Sequence, residues 1–245
     1  MTGMQASFVF MHSPCVGPST WAPVAEVVRR SGTTAVVPDL TRVGSGPAPH
    51  WPAVVAAVRA AAPADGPLVL VAHSNAGLFV PVVKEALGGR VVACVFAESR
   101  VPPRGGLTEI AEEPFLPFLR ALAGPDDILP PWTGWWGDEE VAAFLPDAAM
   151  RRRVEADQPR LPLSYFTQRV PVPAGWENVP CAFVWYGEPY DGDAREAKDR
   201  GWPVSRVPGR HLHQVVDPEA VGAELLEVVN SSLFPRRRAP EASPM

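Results

Sequence analysis

The chain has 245 residues, 47% of them hydrophobic and 20% charged, which fits one domain, or one domain with a large insertion, around a sizeable core. The formal net charge of −5 and the lack of a basic stripe argue against nucleic-acid binding. The first seven residues lack a signal-peptide pattern, and no apolar run approaches the roughly 20 residues of a membrane helix. We therefore expect a cytoplasmic protein that binds no membrane. Whether it forms a homodimer is left open.

Short apolar runs alternate with amphipathic stretches along the first hundred residues. The runs predict strands at 8–11, 34–37, 68–72 and 91–97. The stretches between them predict helices at 20–30, 51–62 and 77–87. Ser19 is placed to cap the first helix, whereas Pro81 lies inside the third, where a proline would bend it.

This rhythm breaks over residues 102–177 and then resumes. The intervening segment is rich in proline and tryptophan, with helical patches at 107–122 and 139–154 and no clear strand. After it, strands are predicted at 182–186 and 203–207, and helices at 194–200 and 218–229. Because strands buried on both faces read as continuous apolar runs, the alternation predicts an α/β fold with a mainly parallel sheet flanked by helices.

The same pattern divides the chain. We expect a core formed by residues 1–101 and 178–234, a helical lid insertion at 102–177, and a disordered tail at 235–245. The insertion would cover the carboxyl ends of the strands, where ligands bind in such sheets.

A predicted strand runs directly into a serine followed by a helix, in the sequence Leu68-Val-Leu-Val-Ala-His-Ser-Asn-Ala-Gly77. A nucleophile elbow needs this arrangement, with small residues such as Ala72 and Ala76 on either side of the serine, because the turn is very tight. It would lift the Ser74 hydroxyl above the sheet, next to the N–H groups of the helix. The alternative is an ordinary strand-to-helix turn in which Ser74 only caps the helix.

A histidine follows the last predicted strand, in Val207-Pro-Gly-Arg-His-Leu-His213. A hydroxyl nucleophile needs a base within hydrogen-bond reach, and the order serine, then histidine, suits this type of fold. His211 is preferred over His213 because it comes immediately after the glycine turn. His213 is then expected to be a packed histidine near the base.

These motifs resemble those of the α/β-hydrolase superfamily. Ser74 and His211 look like its nucleophile and base, and His12-Ser13-Pro14 looks like its oxyanion loop after the first strand. The segment around His-Ser-Pro-Cys is loosely similar to the plant esterase and hydroxynitrile lyase branch. The resemblance implies an α/β-hydrolase fold with the insertion as a variable lid, and it implies a catalytic dyad more directly than a substrate.

The acid that would orient the histidine has two candidate positions. In the superfamily it usually follows the penultimate strand, but Tyr190 stands where an acid is usual, leaving Glu188 or Asp191 as substitutes. The other position follows the strand after the nucleophile helix, as in haloalkane dehalogenases, and is held here by Glu98. We prefer Glu98, because a carboxylate leaving a buried strand is costly unless it is paired.

Glu98 also has a simpler explanation. It would then pair with Arg100 or Arg104, and the acids of the 188–193 loop would merely be solvated.

The oxyanion loop departs from the superfamily pattern. One donor is expected from the N–H of Asn75, after the elbow serine, but the second would fall on Pro14, which has no N–H. Loss of one donor typically costs a hydrolase about 100- to 1000-fold in rate. Either the Cys15 N–H or the Ser13 hydroxyl takes over, or the reaction forms no oxyanion.

Three tryptophans of the insertion, Trp132, Trp135 and Trp136, are predicted either to line an apolar pocket or to anchor a proline-rich lid. Cys15 is expected near the pocket, and Cys94 and Cys181 in the core. No phosphate loop, zinc pair or dinucleotide fingerprint is present in the sequence, so we predict no cofactor and no metal.

Three hypotheses follow for a small-molecule substrate. The first is a serine hydrolase of an ester, thioester or lactone. The second is a lyase, isomerase or cyclase that uses the same Ser74–His211 dyad for proton transfer. The third, a binding protein without catalysis, is the least favoured because both residues are kept.

Overall fold

The protein is described by a computed structural model that covers residues 6–233. The tail expected at 235–245 lies outside the described residues. In the described part of the chain, no helix is both long and apolar enough to span a membrane.

Within residues 6–233, eight strands form two sheets. In chain order the strands are β1 (Ser7–Met11), β2 (Ala35–Val36), β3 (Leu68–Ser74), β4 (Val91–Ser99), β5 (Gly106–Glu109), β6 (Arg169–Val172), β7 (Cys181–Trp185) and β8 (Val204–Arg206). Six of them form a fully parallel sheet in the order β2-β1-β3-β4-β7-β8. The predicted α/β architecture is therefore confirmed.

Helices flank this sheet, and four further α-helices lie within residues 102–177. The α-helices are α1 (Ala22–Arg30), α2 (Trp51–Ala61), α3 (Val80–Leu87), α4 (Leu116–Ala123), α5 (Asp138–Phe144), α6 (Ala148–Glu155), α7 (Leu163–Thr167), α8 (Asp191–Asp199), α9 (His213–Val216) and α10 (Pro218–Glu227). Short 3₁₀ turns include Pro18–Thr20, Asn75–Phe79 and Trp132–Trp135, and a π-helical turn follows α10 at Val228–Leu233.

The central strands are apolar along their whole length because both faces of the sheet are covered. All seven residues of β3 are buried. Leu68, Leu70 and Ala72 belong to one hydrophobic cluster, and the intervening Val69 and Val71 belong to another. The alternation follows from the two-residue period of a strand, so one continuous apolar run supplies both layers of the core.

The insertion differs from the prediction in containing strands. β5 and β6 pair antiparallel as a separate ribbon, with Gly106 opposite Val172. Both strands are short, and about sixty residues separate them, so no hairpin turn marked them in the sequence. The patch predicted as a helix at 107–122 therefore begins as β5 and becomes helical only later. The patch at 139–154 is two helices, α5 and α6, separated at Pro146, which cannot continue a helix.

Two local predictions at helix starts were wrong. Ser19 does not cap α1, which begins three residues later; its hydroxyl donates instead to Asp157 Oδ1. Pro81 does not bend a helix, because α3 begins at Val80 and the proline lies in its first turn, where a missing N–H costs no hydrogen bond.

Candidate active site

The turn between β3 and the following 3₁₀ helix has the geometry of a nucleophile elbow. Ser74 has φ 58° and ψ −136°, a backbone conformation uncommon for a residue other than glycine. The neighbouring Ala72 and Ala76 are fully buried. A Cβ at Gly77 would lie 2.1 Å from the carbonyl oxygen of Arg100, so the elbow also requires this glycine. A hydrogen bond from β4 stabilises this strained conformation: the Ser99 hydroxyl donates to the Ser74 carbonyl oxygen at 2.7 Å.

The Ser74 hydroxyl contacts a residue that the sequence analysis did not select. Its Oγ lies 3.0 Å from the hydroxyl oxygen of Tyr190, which is buried at the start of α8. Within residues 6–233 no hydrogen bond joins Ser74 Oγ to His211. The signal that could have identified Tyr190 was its position in the loop after β7, where the superfamily usually has an acid.

His211 lies in the loop after β8 and lines the same cavity as Ser74. Its ring stacks with those of Tyr190, with centroids 5.2 Å apart, and His73, with centroids 4.6 Å apart. Burial, with a smaller contribution from His73, holds the pKa of His211 well below its usual value. The ring is therefore neutral at neutral pH and able to accept a proton.

His73, which the sequence analysis also did not select, holds the backbone of His211 in place. Its Nε2–H donates to the carbonyl oxygen of His211 at 2.7 Å. Burial lowers the pKa of His73 to about 4, so the interaction does not bring a positive charge beside the base. His213 packs against Tyr186, with ring centroids 5.9 Å apart, as expected for a packed histidine.

Glu98 lies at the carboxyl end of β4, fully buried, with φ 46°. Its Oε2 accepts hydrogen bonds from the backbone N–H groups of Tyr186 at 2.7 Å and Gly187 at 3.3 Å, just after β7. Glu98 Oε1 and His211 Nδ1 are among the buried polar atoms that have no hydrogen-bond partner in the described part of the chain. Burial raises the pKa of Glu98 to about 8.

The arginines near Glu98 have other partners. Arg100 forms an ion pair with Glu112 at 2.7 Å and lies 3.5 Å from Asp193, and Arg104 pairs with Glu177. The simpler explanation for Glu98, an ion pair with Arg100 or Arg104, is therefore wrong.

The two alternative acids, like Glu98 itself, are not among the residues that line the cavity. Glu188 is exposed, and Asp191 is half-buried as the first residue of α8, with an unpartnered Oδ1.

The donors of the loop after β1 are bound to one another. The Cys15 N–H donates to Ser13 Oγ at 3.2 Å, and the Ser13 hydroxyl donates to Asn75 Oδ1 at 2.8 Å. The Asn75 amide nitrogen in turn lies 3.6 Å from Cys15 Sγ. Pro14 is buried among them and offers no N–H. The backbone N–H of Asn75, at the first position of its 3₁₀ helix, needs no partner within that helix.

His12, which begins this loop, is fully buried. Its Nδ1–H donates to the Ser13 carbonyl oxygen, and its Nε2 accepts from the Leu40 N–H. Burial raises the pKa of the nearby Cys15 thiol to about 11, so Cys15 is a neutral thiol in the wall of the cavity. Cys94 and Cys181 lie in the core, as predicted.

A cavity of about 600 Å³ joins these residues to the insertion. Ser74, Asn75 and His211 lie on its wall together with Ser13 and Cys15. Aromatic side chains of the insertion complete it: Phe115, Trp132, Trp135, Trp136, Phe144 and Phe166. The three tryptophans therefore line the cavity, and Trp132 is also a packing residue, since its ring contacts those of Phe144 and His211.

An α/β sheet with a serine on a strained elbow, and a neutral histidine beside it, defines the class of α/β-hydrolase-fold proteins. Residues 8–224 match the model of the alpha/beta hydrolase family, so the chain belongs to that family.

Named relatives are similar over only part of the chain. Esterase PIR7B of Oryza sativa subsp. japonica is 31% identical over 119 residues, 44% of this chain and 44% of that protein. Probable esterase PIR7A of Oryza sativa subsp. indica is 32% identical over 118 residues, with the same coverage. The alignment thus spans less than half of each rice protein.

Solved structures show the same fold along nearly the whole chain. An extracellular alpha/beta-hydrolase from a Paenibacillus species has a TM-score of 0.70 and 15% identity, covering 92% of this chain and 99% of that one. Polyneuridine aldehyde esterase has a TM-score of 0.69 and 17% identity, covering 92% of this chain and 100% of that one.

Proposed function

We propose that the protein is a serine hydrolase that cleaves an ester, thioester or lactone of a small, largely apolar substrate. The observation that carries this proposal is the strained elbow at Ser74, which opens into the same cavity as the neutral His211. A strained backbone conformation costs of order 1–3 kcal/mol, so such strain at a serine is typical of a site where the serine has a function. The rice relatives named as esterases support the same reaction class.

Each group has a role in this reaction. Ser74 Oγ attacks the substrate carbonyl carbon while its proton passes to His211, and the Asn75 N–H donates to the oxygen that becomes negative. His211 then gives the proton to the leaving group. Water next attacks the acyl-enzyme, with His211 again accepting a proton, and the acid is released as Ser74 regains its proton. The low pKa of His211 keeps it available as a base across the neutral range.

Glu98 is the proposed acid of the triad. Its Oε1 and His211 Nδ1 are both buried without a hydrogen-bond partner among the described residues, and each is the chemical complement of the other. The two backbone N–H bonds to Oε2 fix the carboxyl group at the end of β4. Once ionised, Glu98 would stabilise the imidazolium that forms when His211 accepts the proton.

The lining of the cavity supports the choice of substrate. Most of the side chains contributed by the insertion are aromatic, and a volume near 600 Å³ is the size of a small-molecule site. Among the described residues, Arg100 is the one arginine on the cavity wall. It is already bound to Glu112 and close to Asp193, so it has little capacity for an anionic substrate.

A fluorophosphonate probe tests this proposal directly. The purified protein would be incubated with the probe and its intact mass compared with those of Ser74→Ala and His211→Ala. We expect a single adduct on the wild type, none on Ser74→Ala, and strongly slowed labelling of His211→Ala. An equal adduct on Ser74→Ala, or no adduct on folded wild-type protein, would overturn the proposal.

A second candidate function is a lyase, isomerase or cyclase that uses the same dyad to move a proton. The observation that favours it is the oxyanion loop, where Pro14 has no N–H and the donors of Ser13 and Cys15 are bound within the loop. A weak oxyanion site matters less when no acyl intermediate forms. Trapping of a covalent acyl-enzyme by mass spectrometry would exclude this candidate for the substrate tested.

A further inference from the structure

Tyr190 is the hydrogen-bond partner of the proposed nucleophile. Its hydroxyl oxygen lies 3.0 Å from Ser74 Oγ, and its ring lies nearly parallel to that of His211, with 13° between the planes. The tyrosine is thus held between the two groups that would perform the reaction. Nothing in the mechanism described so far uses its hydroxyl.

The chemistry of the two hydroxyls indicates which one donates. A phenol is the better donor and the poorer acceptor of the two, because its oxygen lone pair is delocalised into the ring. Ser74 must also keep its own proton free for His211 if it is to be activated. Burial raises the pKa of the Tyr190 phenol, so this group keeps its proton throughout the neutral range.

We propose that Tyr190 is a catalytic residue of the deacylation step, in which its O–H donates a hydrogen bond to Ser74 Oγ as that oxygen leaves the acyl group. This inference rests on the proposed serine-hydrolase function. In that step the C–O bond to the attacking water forms and the C–Oγ bond breaks. The water proton passes to His211 and then to Ser74 Oγ, while Tyr190 retains its own proton.

The effect on each step follows from how strongly Oγ accepts a hydrogen bond. In the free enzyme Oγ is a good acceptor, in the acyl-enzyme it is an ester oxygen and a poor one, and in the transition states it lies between. The Tyr190 bond therefore favours free Ser74 over the acyl-enzyme. Its removal slows deacylation and leaves acylation unchanged or faster, and a bond of this type corresponds to roughly a 3- to 10-fold effect.

The experiment compares Tyr190→Phe with the wild type on a p-nitrophenyl ester of a short apolar acid, whose activated leaving group makes acylation fast. The variant keeps the ring that stacks on His211 and loses only the hydroxyl. We expect a 3- to 10-fold slower decay of the isolated acyl-enzyme, followed by intact mass. KM and kcat should fall together, so that kcat/KM stays within about 2-fold of the wild-type value or rises.

Two controls separate this role from a structural one. Ser205→Ala removes another buried hydroxyl, one that has no hydrogen-bond partner and does not line the cavity, and should leave acyl-enzyme decay unchanged. Replacement of Tyr190 by 3,5-difluorotyrosine makes the phenol a stronger donor and should give decay at least as fast as the wild type. This second variant also tests the inference if Tyr190→Phe does not fold.

The outcomes distinguish this inference from the function on which it rests. If the wild type neither reacts with the fluorophosphonate nor forms an acyl-enzyme, the proposed hydrolase function fails. If the wild type does both, and Tyr190→Phe decays at the wild-type rate or loses kcat/KM as much as kcat, only the role of Tyr190 is overturned.

Discussion

The two sides of the Ser74 hydroxyl differ in how their polar atoms are paired. On the side of the loop after β1, the polar groups of Ser13 and Cys15 bind each other and Asn75. On the side built by the loops after β4, β7 and β8, Glu98 Oε1 and His211 Nδ1 are buried without partners.

We interpret this difference as one between two walls of the site. The side of the loop after β1 is the structural wall, and the side with Glu98 and His211, the proposed acid and base, is the reactive wall. An unsatisfied buried polar group costs about 1–3 kcal/mol, so most such groups acquire partners during folding, as those of the β1 loop have done. In the proposed mechanism Glu98 Oε1 and His211 Nδ1 become partners of each other when His211 becomes an imidazolium. Two of the unpaired atoms thus belong to the proposed acid and base, and the oxyanion side would contribute little beyond the Asn75 N–H.

The largest expected effect comes from the residue between the two sides. Ser74→Ala should lower kcat/KM for any ester that the wild type hydrolyses by about 10⁴-fold or more, because the variant has lost the nucleophilic hydroxyl. Thermal unfolding should stay within a few degrees of the wild type, which serves as the folding control. Full activity in this variant would place the reaction elsewhere.

The next effect tests the reactive wall. Glu98→Gln should lower kcat/KM by roughly 1000-fold, since an amide cannot stabilise the imidazolium of His211. Because burial raises the pKa of Glu98 to about 8, wild-type kcat/KM should rise with pH through this value, and the variant should not show this rise.

Asp191→Asn and Glu188→Gln are the matched controls for that variant, since both come from the loop after β7. Near wild-type activity is expected for each. If Asp191→Asn shows the large loss and Glu98→Gln does not, the triad acid is Asp191 instead.

The stability of the protein should also depend on the protonation of Glu98, and it should fall over the pH range in which activity rises. A raised folded-state pKa means that folded Glu98 keeps its proton between about pH 4.5 and 8, whereas the unfolded chain has released it. The free energy of unfolding should therefore fall by about 2 kcal/mol from pH 6.5 to 8. Urea unfolding of wild type and Glu98→Gln across this range checks it, and an equal slope in both proteins would contradict it.

The smallest expected effect tests the structural wall. Pro14→Ala restores an N–H where the loop lacks one, and should raise kcat/KM for an ester by up to about 10-fold if an oxyanion forms. Pro18→Ala, which alters a proline outside the cavity in the same segment, is the control. A Pro14→Ala variant without any gain would favour the second candidate, in which no acyl intermediate forms.

Much of this protein could be predicted from local sequence. The strands of the main sheet were found because a strand covered on both faces is an unbroken apolar run, as in Leu68–Ser74. The Ser74 elbow was found because it needs small neighbours within two residues. The starts of α1 and α3 differ from the predicted starts near Ser19 and Pro81, because local backbone geometry sets where a helix begins. The β5–β6 ribbon was missed because its partners are distant in the chain.

The fold class, the elbow serine and the histidine after the last strand could be predicted from the sequence, since each depends on residues close together in the chain. The contacts of Glu98 with the backbone of Gly187 and of Tyr190 with Ser74 could be found in the structure but not in the sequence. These contacts join residues 89 and 116 positions apart. They depend on the parallel pairing of β3, β4 and β7, which brings the carboxyl ends of distant strands to one edge of the sheet.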